Sequence, residues 1–155
     1  MWGTAAMLLL LQPCPDVEVP FELDEDRGGI VVPLAANGHR GSALLDTGAG
    51  HTVVSTDLLG AAAGLPPGEF SPERPGLVAT RMWIAVELRV AGVSVGRHRV
   101  QLMDMSEVSR VYRRRVDGLL GQDVLTRFGR VVIDFEARRI HLARRAGERC
   151  PVTRE

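Results

Sequence analysis

Hydrophobic and polar residues alternate along much of this chain, and the alternation predicts short strands. Val17, Val19 and Phe21 face one way while Asp16, Glu18 and Pro20 face the other, as in a strand with one buried side. An acidic turn over residues 24–29 leads into Ile30-Val31-Val32-Pro33-Leu34, and Asn37-Gly38 is a strong signal for a tight hairpin. Residues 42–45 form the returning strand, and Thr52-Val53-Val54 resumes the extended pattern. The longest alternation sets Met82, Ile84, Val86, Leu88 and Val90 against Trp83, Ala85, Glu87 and Arg89. Ala91-Gly92 turns the chain, and residues 93–95 and 100–102 come back beside it. A last hairpin joins Val131-Val132-Ile133-Asp134-Phe135 to Ile140-His141-Leu142 through a polar turn at 136–139.

Helical signals are brief. Residues 56–63 predict a short helix with Ser55 or Thr56 as cap and Gly64 as stop, and residues 121–128 predict another closed by Gly129. Pro66, Pro67, Gly68, Pro72, Pro75 and Gly76 mark irregular chain. Residues 105–116 are polar and basic, which predicts a surface excursion. Many short strands and two short helices predict a mainly β domain without internal repeats.

With 155 residues the chain suffices for one domain with a real core. We place that domain at residues 16–145, after a segment at 1–15 and before a tail at 146–155. The formal net charge is zero, which gives no electrostatic footprint for nucleic acid. Every basic residue is Arg, a coding bias toward G and C, and Arg113-Arg114-Arg115 reads as a solvated loop before it reads as a docking patch. Cys14 and Cys150 form no Cys-x-x-Cys motif, and His39, His51, His98 and His141 lack metal-ligand spacing, so neither a metal nor a cofactor is expected. The apolar run at residues 5–11 is far too short to span a bilayer. It is either a degenerate export signal or an apolar arm that packs in an assembly, and any membrane association would come through it alone. The first alternative places the protein in the cell envelope, where Cys150 could pair with Cys14 or with another copy. The second leaves it in the cytoplasm.

The chemistry lies in Leu44-Leu45-Asp46-Thr47-Gly48-Ala49. Two aliphatics anchor a strand that ends by presenting a carboxylate. The hydroxyl that follows can fix a tight loop, and the glycine lets neighbouring backbone approach. Asp-Thr-Gly alone is a common turn sequence. Its context is sharper, because Asp117-Gly118-Leu119-Leu120-Gly121-Gln122-Asp123-Val124-Leu125 follows after a long β-rich stretch. The pair of motifs in this order resembles the retropepsin-like aspartic proteases, especially bacterial single-domain members, over residues 17–142.

The resemblance implies a closed or partly open β half-barrel carrying one aspartate loop, a flap hairpin, and a short helix after the second glycine motif. Asp46 would be the catalytic acid/base of an aspartic endopeptidase. The Thr47 hydroxyl would brace two loops across a dimer axis, and Gly48 would admit substrate and water. Ala49, Leu120 and Gly121 would support the loop without a chemical part. Asp117 and Asp123 are expected to serve as turn and helix-cap residues. The flap corresponds to residues 74–83, so Pro75, Gly76, Leu77 and Val78 would line the substrate cleft.

Peptide hydrolysis by this route needs two carboxylates around one water, sharing a proton because like charges so close cannot both ionise. The chain offers one Asp-Thr/Ser-Gly. A second copy must supply the other carboxylate, which implies a two-fold homodimer acting on a protein or peptide substrate and an inert monomer. By the same resemblance the interface strands are expected at residues 17–21 and 131–142. The alternatives are a silent retropepsin-fold module for dimerisation or peptide binding, and a generic small barrel with a coincidental turn.

Overall fold

The computed structural model describes residues 16–60 and 82–145. The apolar run at 5–11, both cysteines, the flap candidates Pro75, Gly76, Leu77 and Val78, the far end of the first expected helix and the tail lie outside the described residues. Ten strands and three short helices are described. They are β1 (Val17–Pro20), β2 (Glu22–Asp24), β3 (Gly29–Ala36), β4 (His39–Leu45), β5 (Val53–Ser55), α1 (Thr56–Leu59), β6 (Met82–Val90), β7 (Val93–Met103), α2 (Ser106–Tyr112), β8 (Gly118–Leu120), α3 (Gln122–Leu125), β9 (Arg130–Asp134) and β10 (Arg139–Ala143). Among the described residues no helix is long and apolar enough to cross a membrane.

Six strands close into a barrel in the order β3-β4-β8-β5-β7-β6, sealed by the antiparallel pairing of Leu34 with Val90 and Ala36 with Leu88. The hairpin turns that build it need positive φ at both central residues. Asn37 and Gly38 supply this at 49° and 83° between β3 and β4, and Ala91 and Gly92 at 46° and 85° between β6 and β7. The β7 strand runs unbroken through residues expected to be two pieces, and its extra residue, Val95, makes a bulge opposite Leu88 and Arg89. Outside the barrel, β1, β10 and β9 form a second antiparallel sheet. Its inward side chains Val19, Ile140 and Leu142 join the main core of Val32, Leu34, Val54, Val86, Leu88, Val100 and Val124.

The excursion at 105–116 is corrected by the structure. It contains α2, and its ends carry Met105 and Val116, both about 2% exposed. These two side chains bury the outer faces of Val31, Leu44 and Val53, with Val108 and Tyr112 packed beside them. Strands β3 and β5 and the end of β4 at Leu44 are thus covered on both sides, which explains why residues 30–32 and 53–54 read as apolar runs and not alternations. The helices are also shorter than expected. Among the described residues α1 ends at Leu59 with Gly60 as its cap, and α3 stops at Leu125 before a turn in which Phe128 N–H donates to Leu125 O.

Candidate active site

The barrel brings the two sequence motifs together by threading one between the flanks of the other. β8 lies parallel to β4, pairing Leu45 with Leu120, and antiparallel to β5, pairing Leu119 with Val53. Those neighbours are the strands that enter and leave the loop at residues 46–52. The arrangement forbids a side chain at position 121, where a Cβ would lie 2.6 Å from His51 C and 2.9 Å from Thr52 N. Only glycine lets the second motif pass under the loop.

Asp46 stands half-buried at the end of β4. Its backbone N–H donates to Leu120 O at 3.0 Å, tying the first residue of the loop to the last residue of β8. Its Oδ1 accepts from Gly48 N at 2.9 Å and Ala49 N at 3.2 Å. The loop thereby fixes the carboxylate's direction, while Oδ2 accepts no hydrogen bond from a described residue. Thr47 and Gly48 are exposed beside it. The structure therefore brings Asp46, Thr47, Gly48, Ala49, Leu120 and Gly121 to one place.

Three residues around the loop have larger parts than the sequence indicated. Gln122 grips it twice, its N–H on Ala49 O at 2.9 Å and its side-chain amide on Thr47 O at 2.6 Å. Thr52 is fully buried, and its hydroxyl donates to Asp123 Oδ1 at 2.7 Å while accepting from Gly121 N at 3.1 Å. Asp123 is not the cap of α3, a place taken by Gly121. It accepts instead from Thr52 N at 2.9 and 3.0 Å and meets His98 Nε2 at 3.0 Å. A hydroxyl opening the apolar run Thr52-Val53-Val54 was the available signal for the first of these contacts, and nothing in the spacing marked His98. Asp117, 3% exposed, accepts from Ser42 N at 3.0 Å and pairs with Arg115, so it ties β4 to the approach of β8. Arg114 pairs with Glu22 at 2.8 Å, so the basic run is partly consumed within the molecule.

Burial pushes the Asp123 carboxyl up, but the Thr52 N–H, the Thr52 hydroxyl and His98 together outweigh it and hold it below the usual carboxylate range. A folded-state value below the unfolded one adds stability above the ordinary carboxylate range, and that stability is lost as pH falls through the folded value. Asp123→Asn is therefore expected to lower the urea midpoint near neutrality, with the gap from wild type closing in strong acid. An equal gap at both pH values would rule the linkage out.

One side of the loop carries an aromatic contact. His51 meets Trp83 edge-on with centroids 4.9 Å apart, and the Arg99 guanidinium lies 5.7 Å from the Trp83 ring. Among the described residues no group of three or more His, Cys, Asp or Glu side chains converges to hold a metal ion.

Comparison with known proteins agrees with this layout. The family profile for aspartyl protease matches residues 32–124, more than half of the chain, from within β3 to within α3. A search of curated proteins finds no match. Among solved structures, a retropepsin-like aspartic protease from Rickettsia conorii superposes with a TM-score of 0.54 at 15% identity, over 83% of this chain and 90% of that one. The retroviral protease-like domain of Ddi1 from Leishmania major gives 0.43 at 15% identity, over 81% and 89%. With one aspartate loop and a closed six-stranded barrel threaded by Gly118-Leu119-Leu120-Gly121, the chain has a retropepsin-like fold and belongs to the aspartyl protease family.

Proposed function

We propose that this chain is an aspartic endopeptidase that works as a homodimer, each copy contributing Asp46. The observation that carries the reading is the Asp46 carboxylate, with one oxygen tethered by two backbone N–H groups and the other taking no hydrogen bond from a described residue. Two such groups face to face would share one proton and hold one water between them. The charged carboxylate takes a proton from the water as its oxygen attacks the peptide carbonyl. The protonated partner donates to the carbonyl oxygen. Collapse of the tetrahedral species then breaks the C–N bond, with a proton delivered to the leaving amine, and the pair returns to one shared proton.

Thr47 and Gly48, exposed at the tip of the loop, are the residues we assign to the two-fold contact and to substrate entry. Residues 74–83, including Pro75, Gly76, Leu77 and Val78, are assigned to the lid over the cleft by resemblance. The small β1-β10-β9 sheet is the proposed dimer surface. Val132 on β9 and Phe135 in the turn just after it are 43% and 55% exposed, large apolar side chains that a partner would cover.

Activity against a diverse peptide library, measured beside sedimentation across a dilution series, tests the proposal. Specific activity is expected to fall in step with the dimer fraction. Full activity in a verified monomer would refute the shared site. A dimer that binds peptides without cutting them at any pH would instead be the silent module.

A further inference from the structure

We propose that His98 is a positioning residue for the Asp46 loop, acting through Asp123 on Thr52, an inference that rests on the peptidase reading and deepens it. The loop has two ends. The near end is held at Asp46 N by Leu120 O and in the middle by Gln122, as described above. The far end is Thr52, and every polar atom of that residue is engaged. Its N–H and hydroxyl go to Asp123, its hydroxyl oxygen accepts from Gly121 N, and its carbonyl accepts from Gln101 N at 3.0 Å.

The Asp123 carboxylate is the joint of this arrangement. Oδ1 takes the Thr52 hydroxyl and the N–H groups of Thr52 and Val124, while Oδ2 takes Thr52 N–H and His98 Nε2. An ionised carboxylate only accepts, so His98 must present an N–H at Nε2. That requirement holds whether the ring is neutral or cationic. The His98 side chain is 10% exposed and that of Asp123 is 19% exposed, so water has limited access to stand in for the imidazole. His98 lies on β7, three positions before Gln101. The same strand therefore grips Thr52 twice, once through a backbone amide and once through the imidazole and carboxylate. A displaced Thr52 moves the loop that carries Asp46, and small misplacements of a reacting group cost rate more than affinity.

The test uses the full chain. His98→Leu keeps the bulk that excludes water and removes the donor, while His98→Gln can restore an N–H toward Asp123. We expect kcat for peptide cleavage to fall about tenfold in His98→Leu. KM should stay close to wild type, and His98→Gln should recover most of the loss. In parallel, amide exchange at Thr52 and Gly121 should quicken in His98→Leu and return in His98→Gln. Imidazole nitrogen shifts of the wild-type protein should show a proton on Nε2. Wild-type exchange at Thr52 in His98→Leu, or a wild-type ring with a bare Nε2, overturns the proposal whether or not the protein cleaves peptides. If the wild type proves inactive while the exchange and tautomer results hold, the peptidase reading fails and the positioning of Thr52 by His98 stands.

Discussion

Asp46→Asn is expected to abolish peptide hydrolysis while leaving the barrel and the dimer in place. Asparagine nearly matches aspartate in shape, and its carbonyl oxygen can still accept from Gly48 N and Ala49 N, the two bonds that orient the side chain. What it cannot do is take or give up a proton. In a homodimer the substitution strikes both halves of the pair at once, so the loss should reach at least the ~10²–10⁴-fold that general acid–base catalysis contributes. The same pairing fixes the pH behaviour of the wild type. Cleavage needs one carboxylate charged and one protonated, so activity should be bell-shaped, with both limbs belonging to the pair. Steady-state rates across pH, beside sedimentation and circular dichroism of the variant, check all of this. An active Asp46→Asn protein, or a wild type whose rate climbs through alkaline pH, would exclude the aspartic mechanism.

Gly121→Ala should be the most damaging substitution outside the carboxylate. The added methyl would sit within 3 Å of His51 C, His51 O and Thr52 N, all backbone atoms of the loop. Backbone cannot swing aside as a flexible side chain can. Either β8 slides out of its place between β4 and β5, or the loop lifts away from it. Forcing a methyl into packed structure costs about 1–3 kcal/mol. Because the strain falls on the segment that carries Asp46, activity should drop by about 10²-fold even where the protein still folds. Thermal melting separates the two losses. A variant with wild-type melting and wild-type turnover would mean that the loop does not ride on β8.

The Asp46 loop and the Gly-Leu-Leu-Gly strand were legible in the sequence because their constraints are local. A strand must lead into the carboxylate, and a glycine must sit where backbone crosses backbone. The hairpin at Asn37-Gly38 was legible for the same reason, since positive φ at both turn positions favours Asn and Gly, and that at Ala91-Gly92 was marked by its glycine. The contacts made by Thr52, Asp123, Gln122 and His98 were not. They join side chains from separate elements, and no period along the chain records them. Helix α2 escaped notice because it buries only Val108 and Tyr112 partly on a mostly polar surface, while the anchors Met105 and Val116 stand outside the helix itself. The apolar runs in β3 and β5 were the trace of that cover, readable only once a second layer over the barrel is known.

The threading of β8 has a consequence for the order in which a ribosome delivers this protein. The bond from Asp123 to Thr52 spans 71 positions, and that from Gln122 to Thr47 spans 75. A nascent chain therefore exposes its aspartate long before the segment that must hold it exists. Such distant pairings form late, because the entropy of closing the chain is spent before the contacts repay it. A chain cut short before Gln122 would hold all six barrel strands, yet its loop would lack the grip of Gln122 on Thr47 and of Asp123 on Thr52. The loop that carries Asp46 would be held at both ends only once synthesis has passed Asp123.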